Sequence, residues 1–234
     1  GIGSGTDVES SGEKVVIGML QKVYNPPYCI FDAGSNTGQF LNVVLQNLLT
    51  EDFVIHCFEP ARETFRRLAE HCGPDHRIIL NNIGLGKEKG ETSLYYDAPG
   101  SGLASLTKRR LGHFNIHFDQ SETVRLTSVD DYCLENNIEK IHFLKLDVEG
   151  HELDVLWGAA TMMKDKAIGM ISFEFGGCNI DTRSFFQDFY YLFKDFDMNI
   201  FRITPSGYLY PIDSYKEIFE QFRTTNFLAM QEKP

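Results

Sequence analysis

The sequence predicts an α/β fold: a doubly wound, mainly parallel sheet with helices on both faces. Three observations predict it. Apolar segments of strand length alternate with amphipathic segments of helix length through most of the 234 residues. Polar residues gather directly after four of those strands, at 32–38, 59, 147–152 and 174–177, where open α/β sheets bind their ligands. The composition, 42% hydrophobic and 13% aromatic, is enough for a large core and excludes a mostly disordered chain.

The elements follow in order. Residues 1–12 are small and polar and read as a flexible tail, leaving 13–234 as one domain. Val15, Val16, Met19, Leu20 and Val23 sit at helical spacing, and Pro26-Pro27 ends that helix. A strand is expected over 28–33, then a helix over 37–49 with Phe40, Leu41, Val44, Leu45 and Leu48 on one face. A strand over 53–58 leads to a helix opened by Pro60, a position that tolerates proline. Strands are expected over 77–82 and 92–96. Residues 97–123 show no sustained period and read as a lid or substrate loop, ending near a short strand at 124–126. Thr127 and Ser128, each three residues before an Asp, resemble capping boxes and start a helix. A strand over 141–148 precedes a helix over 152–164 with Leu153, Leu156, Trp157, Ala160 and Met163 on one stripe. After a strand at 167–175, Asp181 is expected to cap an aromatic helix whose core stripe is Phe185, Phe189, Leu192, Phe193 and Phe196. Strands at 199–204 and 227–231 finish the chain.

Charge and cysteines narrow the function. A net charge of −11 argues against a nucleic-acid partner, and the run Lys108-Arg109-Arg110 reads as a solvated loop. Five cysteines form no C-x-x-C pair, which points to a reducing, cytoplasmic setting without structural zinc. No apolar run approaches the ~20 residues of a membrane helix. The chain opens on Gly1 rather than Met, so a segment ahead of it would not show.

The segment CIFDAGSNTG is an apolar strand running into a glycine loop and a helix. Asp32, Gly34, Ser35, Asn36 and Gly38 form D-x-G-x-x-x-G. A dinucleotide site wants G-x-G-x-x-G to cradle a pyrophosphate, and Ser35 and Asn36 stand where that pattern needs glycine. A phosphate-free adenosyl cofactor fits better, and S-adenosylmethionine is the common one. Gly34 is expected to let the backbone approach the ligand. Glu59, beside Pro60 at the end of the second strand, would accept both ribose hydroxyls. Asn82 and Ile83, ending the third strand, would flank the adenine.

The second dense feature is LKLDVEGHE. Lys145 and Asp147 share one face of a strand, and such a charged pair is costly to bury unless paired or functional. Either an ion pair with an acidic helix start, or a substrate-side cluster with Glu149 and His151 in the turn, accounts for it. Glu174, ending ISFEF, is expected to approach Asp147 and Glu149. Three carboxylates could hold Mg²⁺, but hydrogen bonds to a polyol or to the cofactor serve as well, so no metal residue is assigned. His113 and His117 lack a third ligand and read as loop residues.

The set IFDAGSNTGQF, HCFEP, LTSVDDY, FLKLDVEGHELDVLWGA and ISFEF, in this order, resembles the FkbM-like methyltransferases. The resemblance implies a Rossmann-like class I methyltransferase fold with a seven-stranded sheet. It also implies O-methylation of a hydroxyl on a sugar or natural product, with S-adenosylmethionine bound by Asp32, Gly34, Asn36, Gly38 and Glu59. Asp147 and Glu149 would lie near methyl transfer, Asp147 touching the cofactor as well. GLASL resembles the family's variable-loop motif and places Ser105 toward the cofactor. Histidine as a side chain changes charge near neutral pH, which makes His151 the leading general base, with Glu149 or Glu174 as companion. A small-molecule hydroxyl acceptor, with neither nucleic acid nor membrane, is the expected partner. The rivals are an NAD- or nucleotide-sugar-dependent oxidoreductase and a non-catalytic adenosyl-binding module.

Overall fold

A computed structural model of the chain describes residues 12–231. Residues 1–11 of the expected tail lie outside the described residues, and Gly12 caps the first helix. The elements run α1 (Glu13–Val23), β1 (Tyr28–Ala33), α2 (Gln39–Asn47), β2 (Phe53–Phe58), α3 (Arg62–Cys72), β3 (Ile78–Asn81), β4 (Gly84–Leu85), β5 (Gly90–Tyr96) and β6 (Gln120–Thr127). They continue with α4 (Val129–Glu135), β7 (Ile141–Leu146), α5 (Glu152–Trp157), α6 (Ala160–Lys164), β8 (Ile168–Phe175), α7 (Cys178–Thr182), α8 (Phe186–Asp195), β9 (Met198–Ile203), β10 (Leu209–Pro211) and β11 (Thr225–Gln231).

The main sheet has the order β10-β9-β11-β8-β7-β1-β2-β3. Strands β8, β7, β1, β2 and β3 are parallel, and β11 runs antiparallel between β8 and β9. Seven strands make the expected sheet, and the short β10 adds an antiparallel eighth at its edge. Three residues after a tight turn are too few to show an alternation, so this strand leaves no trace in the sequence. A second sheet, β4-β6-β5, stands beside the first.

Adjacent strand residues face opposite sides, which divides the core in two. Ile30, Phe143, Met170 and Leu228 pack with Leu20 of α1 and Phe40, Leu41 and Val44 of α2. Phe31, Leu144, Ile171 and Ala229 face the other way, toward Val129, Val155, Leu156 and the phenylalanines of α8. Phe173 stacks on Phe189 at 4.8 Å between ring centroids. The parallel strands are covered on both faces, so their carboxyl ends are where polar groups can gather. No helix of the described residues is long and apolar enough to cross a membrane, and the five cysteines are free thiols.

Four local expectations are corrected. The irregular stretch stops at residue 119, because 120–123 pair with β5 as part of β6. The helix expected over 152–164 breaks at Gly158 and Ala159, and Trp157 is half exposed rather than on the core stripe. A side chain at Gly158 would fall 2.1 Å from the Gly86 carbonyl oxygen, and Asp130 caps α6 by accepting the Thr161 and Met162 N–H groups at 2.8 and 3.0 Å. Asp181 lies inside α7 and does not cap the aromatic helix. Glu220 does so instead, accepting the Phe186 and Gln187 N–H groups at 2.8 Å each. The buried stripe of α8 accordingly includes Phe186, whereas Phe185 is exposed.

Candidate active site

A cavity of about 790 Å³ opens over the carboxyl ends of β1, β2, β7 and β8. Its first wall is the β1–α2 joint. The Gly34 and Ser35 N–H groups both donate to the Phe58 carbonyl at 3.0 Å, which seats the loop on β2. Gly34 has φ +81°, and a Cβ there would lie 1.9 Å from the Asp147 carbonyl oxygen. The glycine is therefore required by its contact with the residue after β7. Gly38, at φ +94°, turns the chain into α2 against Leu68. Glu59 is buried. Its Oε2 accepts the Asn36 N–H at 3.0 Å and its Oε1 the Ala61 N–H at 2.9 Å, tying the acid to the glycine loop.

The second wall is the turn after β7. Glu149 and Gly150 both have positive φ, +52° and +99°. Buried Glu152 holds this turn from beneath, its Oε1 accepting the Val148 and Gly150 N–H groups at 3.1 and 3.3 Å. Residues 105, 107 and 109 reach the turn from the irregular segment. The Ser105 hydroxyl donates to the Glu149 carbonyl at 2.9 Å, Thr107 Oγ1 meets His151 Nε2 at 3.0 Å, and Arg109 Nη1 donates to Glu149 Oε2 at 2.5 Å. The segment bends at 106–107, where the Thr107 N–H donates to Ser105 Oγ at 3.3 Å, and all three side chains meet the one turn. Arg109 also lies 3.5 Å from Asp181. The other ring nitrogen of His151, Nδ1, meets Asp154 Oδ2 at 2.8 Å.

Burial dominates the electrostatics. It pushes the Glu59 carboxyl up to about 7 and Glu152 up to about 7. Burial, reinforced by the charge of Asp147, pushes Glu149 up to about 8, against the pull of Arg109. Burial and the charges of Asp147 and Glu149 hold Glu174 well above the usual carboxylate range. Lys145 is the internal counter-charge, bonding Asp147 Oδ2 at 3.1 Å and lying 3.6 Å from Asp32 Oδ1.

The expected residues divide into two groups. Gly34, Ser35, Asn36, Glu59, Pro60, Ser105, Asp147, Glu149, His151 and Glu174 all line the cavity. Asp32, Gly38, Asn82 and Ile83 do not. Asp32 is fully buried against Lys145 and cannot touch a ligand. The Asn82 amide donates to the Glu59 and Pro60 carbonyls at 2.9 and 3.1 Å, and Ile83 packs on the core, so Gly84 and Leu85 form the wall in their place. His113 and His117 are exposed, and among the described residues no group of three His, Cys, Asp or Glu is arranged to hold a metal ion. Sequence reasoning missed Thr107, Arg109, Asp154 and Glu152 as parts of the site. Only Asp154 and Glu152, beside His151 in the chain, were close enough to be found by spacing.

Residues 32–200 match the FkbM methyltransferase domain. The chain belongs to the FkbM methyltransferase family. It is 27% identical over 164 residues to the 2-O-methyltransferase NoeI of Sinorhizobium fredii, an alignment covering 65% of this chain and 65% of NoeI. It is 27% identical over 154 residues to the hexuronic acid methyltransferase AglP of Haloferax volcanii, covering 65% of this chain and 59% of AglP. The FkbM chain thus spans less than two thirds of the length of either relative. A candidate rRNA-methylase of Clostridium thermocellum has the same fold, with TM-score 0.51 at 9% identity over 97% of this chain and 98% of that one. At that identity the likeness is one of fold alone.

Proposed function

We propose that this FkbM protein is an S-adenosylmethionine-dependent O-methyltransferase acting on a hydroxyl of a sugar or a sugar-bearing small molecule. The observation that carries the reading is the Glu59 carboxylate. It is buried, it faces the cavity, and it is tied to the loop that a nucleoside must touch. Each of its oxygens accepts one backbone N–H and retains a lone pair for a ribose hydroxyl. The cavity volume, about 790 Å³, suits a nucleoside with an acceptor beside it. Glu59 and the backbone of 34–36 would hold the cofactor, with Gly84 and Leu85 along its edge. When bound, the cofactor supplies an activated methyl group on a sulfonium.

The chain then has two tasks, alignment and proton removal. Orientation alone can contribute ~7–11 kcal/mol. The turn at 149–151 carries the groups that face an acceptor. Glu149 and Glu174, raised by burial, can hydrogen-bond a polyol, and His151 can take the hydroxyl proton. The name of AglP, a hexuronic acid methyltransferase, supports a sugar as acceptor here, and that of NoeI, a 2-O-methyltransferase, supports transfer to oxygen. Mg²⁺ assistance through Asp147, Glu149 and Glu174 is the less favoured alternative.

Calorimetry with S-adenosylhomocysteine and with NAD tests the cofactor: binding of the first and not the second is expected, and the reverse would install an oxidoreductase. Methyl transfer to a panel of methyl glycosides tests the reaction. Full activity in His151→Ala would remove the imidazole base, and full activity after EDTA treatment would remove the metal.

A further inference from the structure

We infer that Asp154 is the positioning residue for His151, and that the Thr107 hydroxyl occupies the place an acceptor hydroxyl takes. This rests on reading His151 as the base. The inference follows from donors and acceptors. An ionised carboxylate only accepts, so Asp154 Oδ2, 2.8 Å from Nδ1, requires the proton on Nδ1. In the neutral ring Nε2 is then a bare lone pair, directed away from Asp154. Thr107 Oγ1 lies 3.0 Å from it and donates its hydroxyl proton. An alcohol is thus already seated on the basic nitrogen of His151, itself a cavity-lining residue, at the distance at which a general base takes a proton. His151 itself is largely enclosed, its side chain 15% exposed, so few other groups can claim that lone pair.

Thr107 sits between two firmer attachments of its segment. Ser105 and Arg109 hold the 149–151 turn on either side of it. The middle contact is a single neutral hydrogen bond, whereas Arg109 makes a charged one and Ser105 also pairs its backbone with Tyr95 at 2.8 and 3.0 Å, so an acceptor can replace the Thr107 contact without releasing the segment. When an acceptor oxygen takes a methyl group, the O–C bond would form as the methyl–sulfur bond breaks, its pair leaving on a neutral thioether, while the acceptor's O–H bond breaks and that pair stays on oxygen. The proton passes to Nε2, the Nδ1–H bond to Asp154 is kept, and the imidazolium returns the proton to solvent. Asp154 touches neither acceptor nor cofactor. It fixes the tautomer and the ring angle, as partners of catalytic and metal-bound histidines do.

Nitrogen-15 spectra of histidine-labelled protein read the tautomer without any turnover. The expected result is His151 with Nδ1 protonated and Nε2 bare in the wild type and in Thr107→Val, and a mixture of tautomers in Asp154→Asn. With S-adenosylmethionine and a methyl glycoside that the wild type accepts, Asp154→Asn should lower kcat about 10–100-fold. Thr107→Val should lower the acceptor KM roughly two- to tenfold by removing a competing hydrogen bond. Nε2 protonated in the wild type would overturn the inference, as would a kcat in Thr107→Val as low as that of His151→Ala. Full activity of His151→Ala with the expected tautomer intact would instead overturn only the base assignment of the previous section.

Discussion

One wall of the cavity is held by backbone and the other by side chains. At the β1–β2 wall, Glu59 accepts the Asn36 and Ala61 N–H groups, the Gly34 and Ser35 N–H groups meet the Phe58 carbonyl, and bonded partners are at most 24 residues apart. At the opposite wall, Ser105, Thr107 and Arg109 reach the 149–151 turn across 40 to 44 residues, mostly through side-chain groups. The first wall is geometry that many side chains beyond the motif would leave intact. The second depends on particular side chains and can change its ligand with few substitutions.

Four experiments probe this contrast. The largest effect is expected at Gly34→Ala. Its Cβ would lie 1.9 Å from the Asp147 oxygen at a φ of +81°, where both neighbours are backbone and neither can yield. A loss of about 4 kcal/mol or more in urea unfolding is expected; wild-type stability would mean that the two strand ends can separate. Next comes Glu59→Ala, which strands two buried N–H groups and removes the proposed ribose acceptor. Calorimetry should show S-adenosylhomocysteine binding weakened roughly 100-fold or more. An unchanged affinity would move the nucleoside elsewhere.

The third experiment uses pH. The carboxyls of Glu59, Glu152 and Glu149 are held at about 7, 7 and 8, above the ordinary 4.5 of an unfolded chain. Between those values the folded protein binds more protons than the unfolded one. Stability contributed by these groups is therefore full below about 4.5, falls as pH rises, and levels off above about 8. The urea midpoint of the ligand-free protein should be higher at pH 5.5 than at pH 8. Glu149→Gln should flatten the last part of the fall, around pH 8, where Glu59 and Glu152 are already mostly ionised. A midpoint that rises over the whole range would show that these carboxyls are ionised and solvated. The smallest effect is expected at Ser105→Ala, which loses one hydrogen bond to the Glu149 carbonyl. About 1 kcal/mol of stability should go, with faster amide exchange confined to the 149–151 turn. Exchange spreading to residues 34–36 would mean that the two walls are not independent.

The alternation of strands and helices, the glycine loop, Glu59 and the DVEGHE turn were all legible in the chain, because each is a local pattern of a few residues. The seven principal strands of the main sheet were legible for the same reason. What stayed hidden was non-local or too short to be periodic. The α8 cap comes from Glu220, the α6 cap from Asp130, and β10 and β4 are strands of three and two residues. Asp32 looks in sequence like a member of the ligand motif, yet folding buries it against Lys145.

By itself, then, the sequence determined the layered α/β plan and the two turns that carry the chemistry, since periodicity and glycine placement act over distances of one helix turn or one strand. Only the tertiary structure decided which side chains cross the cavity to complete the site. Thr107 and Arg109 are polar residues in a stretch without periodicity, and nothing in the linear chain says that they meet His151 and Glu149. Sheet register and the positive-φ turn at Glu149 bring them together, and those are properties of the packed backbone rather than of any local run of residues.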